Sequence, residues 1–153
     1  MPPDNAVAEA LEQAIRGEDF HSLRQLLGDL SASQAVAVPH GSPYSIATQV
    51  GHALFWQSIW IDCIEGRPTP ESIDPEQDFP AVNAEQWAQV RDALLAGFSR
   101  AHRLAQSEDL GRELPYGTVQ KLLLQICNHN AYHMGQIALL RQIAGYGLPV
   151  DSA

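Results

Sequence analysis

The chain has 153 residues, of which 45% are hydrophobic and 18% are charged, a composition typical of one globular domain that buries a core without disulfides. Eighteen acidic residues against nine lysines and arginines give a formal net charge of −9, and the nine basic residues are scattered along the chain. This balance argues against binding to nucleic acid or to an anionic membrane, because both depend on clustered Lys and Arg.

The N-terminus and the two cysteines favour a cytoplasmic protein. Residues 1–6 lack the positive start and the apolar stretch of a signal peptide, and no run of apolar residues is long enough to span a membrane. Cys63 and Cys127 lie within apolar helical patterns and are expected to be packing residues in a reducing compartment. We expect one domain over residues 1–153.

Four segments of helical periodicity follow one another and are separated by breaks rich in proline and glycine. The predicted helices cover residues 5–16 with a continuation over 21–30, then 44–65, 83–104 and 118–144. Residues 68–82, between the second and third helices, contain four of the ten prolines and are expected to form a surface crossover. No strand-like alternation is present, so the pattern predicts an all-α four-helix bundle with this Pro-rich crossover.

The ends of the last two helices carry capping signals. Asn83 followed by Gln86 has the spacing of a capping box, which predicts that the third helix begins there. Thr118 is a good N-cap for the fourth helix, and Gly145 and Gly147 are expected to end it.

The fourth helix has an unusual pair of histidines in its apolar face. Residues at steps of three and four form one seam: Val119, Leu122, Ile126, His129, His133, Ile137, Leu140 and Ala144. His129 and His133 hold the central positions, one turn apart on one face, where two imidazoles can bind a single metal ion. Polar rings in an apolar seam are costly unless each has a partner.

A third metal ligand is expected from a neighbouring helix, because protein sites for zinc usually have at least three protein donors. His21 and His40 lie in predicted loops, and His102 lies near the C-terminal end of the third helix. His52 lies in the second helix on a face with Trp56 and other apolar residues, so it is the best candidate. The alternative is a set of metal-free core histidines, each satisfied by hydrogen bonds.

Two catalytic readings are disfavoured by the residues themselves. A zinc protease motif needs Glu directly after its first histidine, and here Asn130 follows His129 with an amide that cannot act as a base. Cys127 precedes His129 by two residues and faces another side of the helix, while Cys63 lies three turns beyond His52. No catalytic residue is assigned from the sequence.

Three other positions in the fourth helix are candidates for a role in packing, in supporting the site or in a dimer contact. Gly135 would permit close approach of another helix, and Gln136 and Arg141 are candidates for supporting the site or for a dimer contact. A solvated position is the alternative for both polar side chains.

The histidine region resembles the DinB/YfiT-like metalloenzyme family. The resemblance rests on residues 129–141, with their Tyr-His-x-Gly-Gln element, and on His52 followed by residues 55–57, Phe-Trp-Gln. It implies an antiparallel bundle of up-down-down-up topology, often a homodimer, with a divalent metal held by three histidines and completed by water. The implied ligands are His52, His129 and His133, and the metal is commonly zinc or nickel.

Known activities in the family imply a small-molecule substrate and a low-molecular-weight thiol as partner. They include S-transferases that use bacillithiol and a mycothiol-dependent maleylpyruvate isomerase, so the first hypothesis is a thiol-dependent S-transferase or isomerase, with a hydrolase-like enzyme also open. The second hypothesis is a non-catalytic metal-binding or stress-response dimeric bundle. No membrane or nucleic-acid partner is expected.

Overall fold

The computed structural model describes residues 4–150, and within that range the protein is mostly helical, as the periodicity predicts. The helices are α1 (Ala6–Arg16), α2 (Leu23–Gly28), α3 (Ala32–Val36), α4 (Ile46–Ile64), α5 (Pro75–Asp78), α6 (Trp87–Ser107) and α7 (Val119–Ile143). A two-stranded antiparallel sheet, β1 (Glu113–Leu114) and β2 (Gly117–Thr118), precedes α7. These strands are too short to produce an alternating pattern, which is why the sequence did not indicate them.

Most helix boundaries follow local capping chemistry. The side chain of Thr118 accepts a hydrogen bond from the Lys121 backbone N–H at the start of α7, as predicted. The predicted start of the third helix is wrong by four residues, because α6 begins at Trp87. Asn83 and Gln86 exchange two side chain–backbone hydrogen bonds, and these close a separate turn before the helix.

The four longest helices build the core. Both α1 and α4 pack against α6 and α7, and the core between them includes the fully buried Leu11, Leu94 and Ile126. The short helices α2 and α3 pack over this core, and α5 contacts α4 from the crossover. Among the described residues, no helix is long and apolar enough to cross a membrane. Cys63 and Cys127 are buried free thiols, and burial raises the pKa of the Cys127 thiol.

Arg141 is a buried structural residue, which overturns the expectation of a solvated, site-supporting or dimer-contact position. Only 1% of its surface is exposed. Its guanidinium donates to both carboxylate oxygens of Asp29 and to the carbonyls of Leu26 and Gly147. One side chain of α7 therefore holds both the end of α2 and the C-terminal segment.

A buried amide network joins the three central helices. Asn130 on α7 donates to Gln57 Oε1 at 2.8 Å, and Gln57 on α4 donates to the carbonyl of Leu94 on α6 at 3.2 Å. The Gln57 amide packs directly against Gly97, in the space that a side chain at position 97 would need. A Cβ built on Gly97 would clash with Gln57 Nε2.

Replacing Gly97 by alanine is expected to lower the free energy of unfolding by about 1–3 kcal/mol, the cost of leaving buried polar groups unpaired. The new methyl group would displace the Gln57 amide and break its bonds to the neighbouring helices. Urea unfolding followed by circular dichroism measures the effect. Gly28→Ala is the matched control, because a Cβ at this helical glycine meets no atom within 4 Å. Equal stability of the two variants would contradict the prediction.

Candidate metal centre

Three histidines converge between α4 and α7. His129 Nε2 lies 3.2 Å from His52 Nε2 and 3.2 Å from His133 Nε2. His52 and His133 are buried and His129 is half-buried, so His129 is the least enclosed of the three. Among the described residues, these three form a group whose ligand atoms all lie within 4.8 Å of one another and could hold a metal ion.

The other histidines lie elsewhere. His21 is hydrogen-bonded to the carbonyl of Pro149, His40 is exposed, and His102 lies on α6 outside the cluster. The structure thus brings together the three histidines that the sequence singled out, and none of the remaining three.

Hydrogen bonds at the far side of two rings leave their Nε2 lone pairs free. His52 Nδ1 lies 2.7 Å from the Asp78 carbonyl oxygen, and His133 Nδ1 lies 2.8 Å from Gln49 Oε1. These oxygens can only accept, so each Nδ1 carries a proton, and in the neutral form of each ring the lone pair lies on Nε2. Two lone pairs therefore point toward His129.

The third ring has no such constraint. His129 Nδ1 is buried and finds no hydrogen-bond partner in the part of the chain described here. The proton of His129 can therefore reside on Nε2, donating to a neighbouring lone pair, or on Nδ1, leaving a third lone pair at the centre.

The separations fit a metal ion. Zinc–imidazole bonds of about 2.0–2.1 Å in tetrahedral geometry place ligand nitrogens roughly 3.3 Å apart. The two observed separations of 3.2 Å are close to that value, and three imidazole nitrogens form a usual donor set for Zn, Ni, Cu or Fe. The residues present therefore fit a divalent transition metal, although the donor set does not distinguish between these ions.

The electrostatics keep the rings neutral. Burial, followed by the nearby His133 and His52 rings, lowers the pKa of His129 to about 4. Burial and the His52 ring lower the pKa of His133 to about 4. At neutral pH both imidazoles are unprotonated, which is the state that binds metal.

The protein is expected to lose stability as the pH falls from about 6.5 toward 4. In this window the unfolded histidines, with an ordinary pKa of 6.5, take up protons that the folded His129 and His133 do not. Below about pH 4 both states are protonated and this contribution levels off. Thermal melts of the metal-free protein between pH 7 and pH 4 measure it. The slope should flatten in a variant with both residues replaced by glutamine, and an unchanged slope would contradict the assignment.

Aromatic rings form one wall of the cluster. His52 stacks on Phe79, with ring centroids 4.0 Å apart, and Phe79 in turn stacks on Tyr44. On the other side, the edge of Trp60 meets His129 with centroids 5.2 Å apart. These rings limit water access and hold the histidines in place.

Asp78 is the functional candidate that the sequence did not reveal. Its carbonyl accepts from His52, its Oδ1 lies 3.1 Å from His52 Nδ1, and the same Oδ1 accepts the Trp56 indole N–H at 2.7 Å. It lies at the end of α5, whose first turn is capped by Asp74. That cap, followed by Pro75, was the available signal for a helix in the crossover, which is therefore part of the site and more than a surface connection.

Asn130 has a structural role. It is buried, and its amide donates to Gln57 Oε1 on α4. This position agrees with the exclusion of zinc-protease chemistry, which needs a base at this place in the motif.

Comparison with known proteins identifies a family for most of the chain. The family model described as the DinB superfamily matches residues 18–137, a range that covers most of the chain and includes all three clustered histidines. A search for curated relatives found no significant match.

Proposed function

Because the chain belongs to the DinB superfamily, we propose that it is a metal-dependent enzyme acting on a small molecule, with a low-molecular-weight thiol as co-substrate. The observation that carries the proposal is the convergence of three imidazoles, those of His52, His129 and His133, on one point. The proposed reaction is S-transfer to an electrophile or a thiol-dependent isomerisation, and the proposed metal is zinc or nickel.

The chemistry follows from the charge and number of the ligands. A divalent metal bound there would act as a Lewis acid that favours the anionic form of a water or thiol ligand. Three imidazoles contribute no negative charge, and three protein ligands leave room for such an anion. The half-buried His129 is the most accessible of the three ligands. Asp78 holds the orientation of His52, and Phe79 covers that ring against water.

We further infer one domain with antiparallel, up-down-down-up order of the four long helices α1, α4, α6 and α7. Contacts between helices support it. Residue numbers rise together in the α4–α6 contacts Gln57–Leu94 and Glu65–Arg100, and they run oppositely in the α4–α7 contacts Gln49–His133 and His52–His129. Asn5 at the start of α1 bonds to Ala105 near the end of α6, as expected for an antiparallel pair. The connection from Glu65 to Gln86 is long enough to return the chain along the bundle between two parallel helices.

We also propose a homodimer formed through the outer face of α7. Tyr132, Leu139 and Ile143 lie on this face and are 64%, 57% and 52% exposed. Gly135 lies among them, and a Cβ built on it meets no atom within 4 Å, which leaves space for an approaching helix. Light scattering should give twice the chain mass for the native protein and the single-chain mass for Leu139→Asp. A native protein of single-chain mass at assay concentration would refute the dimer.

Elemental analysis of protein purified without a histidine tag tests the metal part of the function. One equivalent of zinc or nickel per chain is expected. The same preparation is then assayed with small thiols and electrophilic acceptors, beside the variant His129→Ala. Turnover lost in the variant supports an enzyme. Bound metal without turnover would support the non-catalytic bundle instead, and equal rates for both proteins would refute the proposed site.

A further inference from the structure

A cavity of about 360 Å³ lies between α4, the crossover and the start of α7. Its apolar walls are Trp56, Ile59 and Trp60 from α4, Ile73 from the crossover and Tyr116 from the turn between β1 and β2. The two indole rings lie 5.7 Å apart, centroid to centroid. The cavity therefore has flat aromatic walls contributed by separate segments of the chain.

This cavity adjoins the histidine cluster. Trp56 and Trp60 lie one and two turns beyond His52 on α4, and Gln125 of the cavity lies one turn before His129 on α7. The ring edge of Trp60 contacts the ring of His129. A molecule whose donor atom reaches the three Nε2 atoms from this side would extend into the cavity.

Most polar groups of the cavity lie at its mouth, and Gln125 is the half-buried exception. Glu71, Ser72 and Lys121 are all exposed, and the Lys121 ammonium already donates to the Tyr116 carbonyl. Within the cavity wall, the Trp56 indole N–H already donates a hydrogen bond to Asp78 Oδ1. The inner walls thus offer ring faces and aliphatic carbons with few hydrogen-bonding groups, which suits an aromatic ring better than a sugar.

We propose that this cavity binds an aromatic ring of the substrate, while a donor group on the same molecule reaches His52, His129 and His133. The inference deepens the proposed function and rests on it for the position of the donor group. The size is sufficient, since a protein cavity of about 150 Å³ can hold benzene and this one leaves room for a ring with a short side arm.

The first test uses benzyl alcohol, which has the ring but no metal-binding thiol, and the metal-free protein. The chain has three tryptophans, so its ¹H–¹⁵N spectrum carries three indole signals. Titration with benzyl alcohol should shift the indole signals of Trp56 and Trp60. The signal of Trp87 should not move, because Trp87 is buried in α6 and does not line the cavity. Tyr116→Ala, which removes a 43% exposed wall, should weaken binding by about threefold to tenfold.

Phe20→Ala is the matched control, because Phe20 is similarly exposed at 47% and does not line this cavity, and it should leave the titration unchanged. Methyl glucoside should produce no shift. The cavity assignment is overturned if benzyl alcohol leaves Trp56 and Trp60 unshifted, if the glucoside shifts them equally, or if Tyr116→Ala binds as well as the native protein.

The second test uses the zinc-loaded protein and a ligand that carries both an aromatic ring and a thiol. Calorimetric titration should show benzyl mercaptan binding about tenfold more tightly than ethanethiol, with that preference reduced in Tyr116→Ala. Equal affinities for the two thiols would overturn the inference while leaving the metal function standing. If benzyl alcohol shifts the two indole signals but the protein binds no metal, the cavity assignment stands and the proposed metal-dependent function fails.

Discussion

Replacing His133 by alanine is expected to weaken binding of a divalent metal by about a hundredfold or more. Structural zinc sites with four ligands are worth about 10–16 kcal/mol, so one ligand contributes roughly 3 kcal/mol, or about two factors of ten. His133 is 4% exposed and its Nε2 lies 3.2 Å from His129 Nε2, so no water-filled gap separates it from the other donors. Competition with a chromophoric chelator measures the affinity of variant and native protein.

The control for this prediction is His40→Ala, since His40 is exposed and lies outside the cluster. Its metal affinity should equal that of the native protein. The His133 variant also leaves Gln49 without its buried partner, so circular dichroism must show that it remains folded. A folded His133→Ala protein with native metal affinity would remove this residue from the site.

Replacing Arg141 by methionine is expected to destabilise the fold by about 3 kcal/mol, the low end of the cost of breaking a buried ion pair. The low end applies because the Asp29 side chain is 60% exposed and can be solvated once its partner is lost. The carbonyl of Leu26 is buried and cannot be solvated in the same way, so it is left without the hydrogen bond that the guanidinium donates. At roughly 2–4 °C for each kcal/mol, the melting temperature should fall by about 6–12 °C.

Arg103→Met is the comparison for Arg141→Met, because Arg103 is exposed on α6. Its melting temperature should change by no more than about 1–2 °C, as expected for a surface substitution. Metal binding should survive in both variants, since Arg141 contacts none of the three clustered histidines. A melting temperature of Arg141→Met within 2 °C of the native value would show that this network contributes little.

The wild-type Arg141 pair should also weaken in strong acid. The Arg141 guanidinium holds the pKa of Asp29 below its ordinary value of 3.8, so this contribution is complete above about pH 4. It is lost only as the pH falls through the lowered pKa. The loss therefore lies below the window in which the buried histidines act, and the two contributions can be separated along one pH series.

The sequence by itself determined the long helices and singled out the three histidines. Helical periodicity and caps such as Thr118 act within one or two turns, so they can be read from neighbouring residues. The same local geometry placed His129 and His133 on one face, and an apolar face selected His52. Membership of the DinB superfamily also agrees with the resemblance noted from these residues.

Only the tertiary structure decided what surrounds those histidines. Asp78 reaches His52 across 26 residues, Gln49 reaches His133 across 84, and Arg141 reaches Asp29 across 112. Such contacts depend on how the crossover folds back and how the helices pack, and no local pattern encodes them. For this reason the candidate ligands could be named from spacing and helix faces, whereas the groups that set their tautomers, and the aromatic cavity beside them, became visible only in the tertiary structure.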